Sequence, residues 1–173
     1  MEVTGKLHPG QQFSPEMFKC LDGADHTFGM PGQWQALFVF RGQHCPICKA
    51  YLAKLEANRE AFVTLGVEIT AVSADDEAQT RLMAVASNPK FPLLYGMDVE
   101  AMKRLGLYIS EPRSLQETYH PFAEPALLVV NPEGVLQIVA IANAPFLRPE
   151  IDRVLGGLSH VIGSNYPVRG TRR

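Results

Sequence analysis

Cysteine is scarce in this chain, with three in 173 residues. That number excludes a disulfide scaffold, which is dense in cysteine. It also excludes a four-cysteine zinc knuckle. Charge of one sign is lacking as well: the formal net charge is −2, which gives no reason to expect nucleic acid or an anionic membrane as a partner. No apolar run approaches the roughly 18 residues that a membrane span needs. Met1 to Gly5 shows no basic stretch leading into an apolar core, so no export signal is expected and the cytoplasm is the expected compartment. There is no repeat, no low-complexity tract and no linker. The expectation is a single domain over residues 1–165, followed by a short basic tail, 166–173, that is expected to be mobile.

Two of the three cysteines stand together in Cys45-Pro46-Ile47-Cys48, and the chain is organised around them. Ahead of them, Trp34 to Phe40 is aromatic and β-branched and reads as a buried strand. Behind them, Lys49 to Leu65 holds no Gly or Pro, and Cys48, Leu52, Leu55 and Phe62 recur at helical spacing beside Tyr51. The pair therefore sits where a strand turns into a helix. Pro46 suits the first helical position, where its missing N–H costs nothing. Cys45 then caps the helix, facing unpaired backbone N–H groups and the positive end of the dipole. That setting favours the thiolate, the reactive form of cysteine. Cys48 lies one turn inside and can reach back to close a disulfide. The rival reading of the pair is half a metal site. Zinc wants about four ligands, and Cys20 with the scattered His8, His26, His44, His120 and His160 makes no second half. No metal and no cofactor are expected.

The rest of the chain reads as alternating strands and helices. Two short strands flank Asp22-Gly23, a hairpin signal. Gly66 closes the helix after the cysteines, and Val67 to Ser73 is a second buried strand. Asp75 or Asp76 caps a helix through Ala86. Phe91 to Tyr95 is a short strand whose Pro92 suggests an edge or a first position. Val99 to Leu105 is a short helix. Leu107 to Ala123 has no clear period and reads as an irregular insertion. Ala126 to Val130 is a strong strand, Asn131 to Gly134 a turn, and Val135 to Ile141 its antiparallel partner. Arg148-Pro149-Glu150 opens a last helix ending at Gly163. The expected fold is α/β, a mixed central sheet with helices on both faces and an N-terminal hairpin.

The chain resembles the thioredoxin-fold superfamily, and within it the peroxiredoxin-like branch of the alkyl hydroperoxide reductase / thiol-specific antioxidant group. Four features carry the resemblance: the Asp22-Gly23 hairpin, the strand entering Phe40 to Cys48, the Val67 to Ser73 strand with Asp75-Asp76 behind it, and Pro125 to Val135. Two departures stand beside it. Familiar peroxiredoxins carry Pro seven residues and Thr or Ser three residues before the attacking cysteine, and those places hold Phe38 and Gly42. They also use an Arg where this chain has about Pro125. Arg41 is a candidate substitute for that cation. Disulfide oxidoreductases of the thioredoxin type carry a cis-proline at this place. The resemblance therefore implies a cis Glu124–Pro125 bond, leaving a backbone edge free for a substrate strand and keeping metal off the sulfurs.

The candidate site is thus Cys45 as attacking and Cys48 as resolving sulfur, supported by Pro125, His44, Arg41 and Glu124. A cationic His44 would lower the pKa of Cys45 further; a solvent-facing loop histidine is the alternative. Glu124 is a candidate to pass a proton to Cys48; the alternative is an exposed loop carboxylate. Cys20 reads as a small buried apolar residue. The implied activity is a thiol-dependent redox enzyme acting on a peroxide or a disulfide, with an external thiol reductant such as a thioredoxin or glutathione system. A redox-inert or redox-sensing binding domain is the alternative. Relatives of this kind often dimerise, which makes a homodimer an expectation.

Overall fold

A computed structural model describes residues 6–173. Met1 to Gly5, which carries the expectation about an export signal, lies outside the described residues. The elements run β1 (Glu16–Cys20), β2 (Asp25–Phe28), β3 (Trp34–Val39), α1 (Pro46–Ala57), α2 (Arg59–Thr64), β4 (Val67–Val72), α3 (Glu77–Ser87), β5 (Leu93–Tyr95), α4 (Val99–Arg104), β6 (Ile109–Ser110), β7 (Phe122–Ala123), β8 (Ala126–Val130), β9 (Leu136–Ile141) and α5 (Ile151–Gly163). Seven strands form one sheet in the order β2-β1-β5-β4-β3-β8-β9, while β6 and β7 pair separately.

The strand carrying the cysteines lies inside this sheet. β3 runs parallel to β4 and antiparallel to β8, with Val39 opposite both Val72 and Ala126. Strands buried on both faces read as continuous apolar runs, and β3 and β8 do. Their alternate residues feed two cores. Leu37, Val39, Val72, Leu128 and Val130 face Phe13, Phe28, Met102 of α4 and Leu105 just beyond it. Ala36, Phe38, Ile69, Leu127 and Val129 face Leu52 and Leu55 of α1, Phe62 of α2, Met83 of α3 and Leu158 of α5. Helices thus cover both faces, as the α/β pattern implies.

The hairpin forms as expected, with Glu16 opposite Phe28 and Lys19 opposite Asp25. Asp76 caps α3 in a reciprocal box with Gln79. Three details differ from the sequence expectation. The helix expected over 49–65 breaks at Asn58, whose Nδ2 donates to the Lys54 carbonyl at 2.9 Å. An Asn side chain that bonds to nearby backbone competes with the helix ladder. Strand β5 lies between β1 and β4 rather than at an edge. Pro92 precedes β5, offering only its carbonyl to Ala71 N–H at 3.2 Å, so no ladder donor is missed. The 107–123 insertion is largely irregular but closes on itself, Ile109 pairing with Ala123 and Ser110 with Phe122. Beyond α5, Tyr166 N–H bonds to Val161 O at 2.9 Å and the remaining residues form no helix or strand.

Leu52 is fully buried on the inner face of α1, whereas Leu82 on α3 is 57% exposed. Leu52→Ala is expected to lower unfolding free energy by about 2–5 kcal/mol, and Leu82→Ala by less than about 0.5 kcal/mol. Urea denaturation of the two variants checks this, and equal losses would contradict the assigned helix face.

Candidate active site

The loop from Phe40 to Cys45 brings a sulfur to the head of α1. Phe40 N–H still bonds to Val72 O at 3.0 Å. Two residues later the chain turns at Gly42, whose φ is +144°. Side chains rarely adopt that backbone conformation. A Cβ there would also come within 2.7 Å of Asp75 Oδ1. The Thr or Ser that familiar peroxiredoxins carry has no room here. Asp75 fills the space instead. It is fully buried, and its Oδ2 accepts from Gln43 N–H at 2.7 Å. Its Oδ1 lies 3.3 Å from His120 Nε2. The His120 ring is held above its ordinary pKa, first by the bond with Asp75. The unreadable insertion therefore supplies an anchor for the loop that carries Cys45.

Cys45 caps α1 as expected. Its φ is −104°, Pro46 is the first helical residue, and Cys48 N–H donates to Cys45 Sγ at 3.3 Å. The largest influence on the Cys45 acidity is a hydrogen bond from the Cys48 thiol. That bond, opposed by burial and joined by the Cys48 N–H and by Arg148 and Arg41, brings the Cys45 pKa down to about 5. Burial, and then the bond to Cys45, push the Cys48 thiol well up. One proton therefore stays on the inner sulfur while the outer one is a thiolate. Both cysteines are free and buried.

Arg41 favours the Cys45 thiolate, as the smallest of the influences that lower its pKa. Its Nε lies 3.2 Å from Glu124 Oε2, and its guanidinium rests 4.8 Å from the Phe122 ring centroid. Glu124 is buried, not exposed, and its Oε1 accepts from Ser110 Oγ at 2.7 Å. It thus orients Arg41. His44 departs from the cationic expectation. Burial holds its imidazole below the ordinary pKa, so it lacks the charge that would tune Cys45 at neutral pH. Its ring packs on Phe122 at 4.7 Å, and both ring nitrogens are buried without a hydrogen-bond partner.

Pro125 requires a correction. Among the described residues no peptide bond is cis, so Glu124–Pro125 is trans. The backbone on either side is already engaged: Glu124 N–H bonds to Tyr108 O at 2.8 Å, and Pro125 O accepts from Ala142 N–H at 2.9 Å. The trans form is the default for X-Pro, and the Glu124 N–H and Pro125 O are not free for a substrate strand. Pro125 instead lines a cavity of about 250 Å³ with Val39, Tyr51, Ile141 and Arg148.

Arg148 was not legible as a site residue. It comes from the loop before α5 and donates from Nη2 to Cys48 Sγ at 2.8 Å. It also lies over the Tyr51 ring at 5.2 Å. No motif spacing links two residues a hundred positions apart. The available signals were Tyr51, one turn beyond Cys48 on α1, and Pro149, which stiffens the loop. The other missed residue is Asp75, visible only as one of two candidate caps.

If the geometry sets the acidity of Cys45, its alkylation rate by iodoacetamide should stay flat from pH 6.5 to 8.5. A free thiol of pKa about 8.5 gains about fifty-fold over that interval. The rate should fall only as the pH drops through about 5, the pKa of the thiolate. A free-thiol profile would remove the helix-cap argument.

Comparison with known proteins follows the same line. A model described as the AhpC/TSA family matches residues 17–139. No curated protein matches the chain in sequence at a significant level. Among solved structures, AhpC of Mycobacterium tuberculosis superposes with a TM-score of 0.75 at 20% identity, covering 97% of this chain and 100% of that one. A mutant of peroxiredoxin 6 of Arenicola marina gives 0.74 at 19% identity, covering 90% and 73%. Reduced Prx3 of Vibrio vulnificus in complex with H2O2 gives 0.72 at 19% identity, covering 88% and 99%. These likenesses show the fold, a thioredoxin-like α/β sheet, and the family match spans most of the chain. The chain belongs to the AhpC/TSA family and, within it, to the oxidoreductases with thiol chemistry.

Proposed function

We propose that the protein is a thiol peroxidase in which Cys45 attacks and Cys48 resolves. The observation that carries this reading is the Cys45 sulfur capping α1, accepting from Cys48 N–H at 3.3 Å with the Cys48 sulfur one turn inside, a setting that lowers the Cys45 pKa. The Cys45 thiolate attacks one oxygen of a hydroperoxide. The O–O bond breaks, the departing alkoxide or hydroxide takes up a proton, and the sulfur becomes a sulfenic acid. Cys48 then condenses with it, releasing water and leaving a disulfide. An external thiol reductant, such as a thioredoxin or glutathione system, restores the dithiol.

Arg41 takes the place of the cation that familiar peroxiredoxins supply from the position of Pro125. It comes from the residue before Gly42, is pinned by Glu124 and Phe122, and favours the Cys45 thiolate. Family membership favours a peroxide as the oxidised substrate, and one structural neighbour is a complex with H2O2. The argument for a protein disulfide rested on a free backbone edge at a cis-proline, and that edge is occupied. The reading places the enzyme in a reducing compartment, the cytoplasm, where thiols are regenerated. It also includes a homodimer.

Reduced protein should consume hydrogen peroxide at least roughly a hundredfold faster than free cysteine, and faster than it consumes a protein disulfide. Cys45→Ser should abolish the reaction, and Cys48→Ser should accumulate a sulfenic acid at Cys45. Stopped-flow thiol loss and dimedone labelling check this. Preference for the protein disulfide would transfer the same sulfurs to disulfide exchange. Slow loss in both assays would leave a binding domain.

A further inference from the structure

We propose that Arg148 is a catalytic residue of the resolving step, holding Cys48 ready to ionise once Cys45 has been oxidised. The inference rests on the dithiol reading but not on which oxidised substrate is consumed. Its basis is the contact between Arg148 Nη2 and Cys48 Sγ at 2.8 Å. The guanidinium is held in place. It stacks on Tyr51, whose hydroxyl donates to Pro149 O at 2.6 Å and so ties the Arg148 loop to α1. The acid nearest in sequence, Glu150, is engaged by Lys54 at 2.6 Å. Among the described residues no carboxylate forms an ion pair with Arg148. Its Nη1 is buried without a hydrogen-bond partner. Beyond the Tyr51 ring, the positive charge meets the Cys48 sulfur and favours the neighbouring Cys45 thiolate.

The resolving sulfur faces opposed influences. Burial, the hydrogen bond to Cys45 and the negative charge of Cys45 keep the proton on Cys48, while Arg148 and the backbone at Arg41 favour the anion. Two of the three opposing influences belong to the Cys45 thiolate. When Cys45 becomes a sulfenic acid, that charge is gone and Arg148 remains. Cys48 then loses its proton and its thiolate attacks the Cys45 sulfur. An S–S bond forms, the S–O bond breaks, and the departing hydroxide takes up the released proton and leaves as water. On a mixed disulfide the same attack expels the substrate's thiolate. Before oxidation, the protonated Cys48 serves as a donor to the Cys45 thiolate. The order of the two steps is thus built into which sulfur each charge addresses.

The test uses full-length variants carrying Cys20→Ala, so that only the paired sulfurs are read. With Cys45→Ser also present, absorbance at 240 nm, less that of the same protein carrying Cys48→Ser to remove the tyrosine contribution, follows the Cys48 thiolate. Arg148→Met should move its midpoint up by at least one pH unit, a tenfold loss of thiolate at a given pH below it, and Arg148→Lys should recover part of the shift. With Cys45 intact, one equivalent of hydrogen peroxide should give disulfide closure at least tenfold slower in Arg148→Met, with sulfenic acid accumulating, while Cys45 oxidation slows much less. Thermal melting confirms that the variants fold. A folded Arg148→Met protein whose Cys48 titration is unmoved overturns the proposal, as does closure at the wild-type rate. Failure of the wild type to react with peroxide would instead sink the proposed function, and the Cys48 titration would still judge Arg148.

Discussion

The bond from Cys48 N–H to the Cys45 sulfur at the head of α1 is the contact on which the chemistry depends. It requires the chain to leave the middle of a sheet, turn and begin a helix within a few residues. Magnitudes show that the helix terminus is not the whole cause of the acidity. Lowering a thiol from 9.0 to about 5 favours the anion by about 5 kcal/mol. A helix N-terminus contributes roughly 0.3–2 kcal/mol. The remainder falls to specific donors: the Cys48 thiol and the two guanidiniums. Burial works against them, since it penalises the charged form. A buried thiolate is therefore tenable only with these donors in place.

The loop that sets up this contact is built differently from the pattern its family resemblance suggests. A hydroxyl-bearing residue at position 42 is excluded by a positive φ and by the closeness of Asp75. The buried carboxylate bonds the Gln43 amide from below, and His120 braces it from the insertion. His120 in turn bonds Gln79 Oε1 at 2.9 Å, and Gln79 belongs to the α3 capping box. The loop, the insertion and the start of α3 thus share one polar network beside the dithiol. Within it Asp75 Oδ2 holds the Gln43 amide by a hydrogen bond, while Oδ1 faces His120 as a charge contact. The network explains how the loop holds its shape without the side chains that a peroxiredoxin pattern would have supplied.

The parts of the molecule that were legible in the sequence are those whose causes are local. The Asp22-Gly23 hairpin, the β3 turn into α1, the Asp76 cap and the β8–β9 pair each follow from residues a few positions apart. Cys45 and Cys48 were legible because capping and helical spacing are both short-range rules. What escaped lies across the chain. The backbone groups beside Pro125 are taken by Ala142 and Tyr108, far along the chain. The neutral state of His44 depends on packing against Phe122. The direction of Arg41 depends on Glu124, and the role of Arg148 on a loop that folds back onto α1. Asn58 is a local miss: its side chain competes with a helix that the apolar spacing alone would continue.

Charge balance connects these long-range contacts to the order of the reaction. Arg41 has a buried partner in Glu124, so that pair is neutral whatever the sulfurs do. Arg148 has no carboxylate of its own among the described residues, and its charge is met by the Cys45 thiolate. Once oxygen has been transferred, Cys45 is neutral and Arg148 is left without a counter-charge in a setting where an unpaired charge is costly. Ionisation of Cys48, already in contact with Arg148, restores the balance. The sulfur that must act second is therefore the one whose anion becomes favourable only after the first has reacted. A site holding a single cation shared equally by both sulfurs would not impose that order.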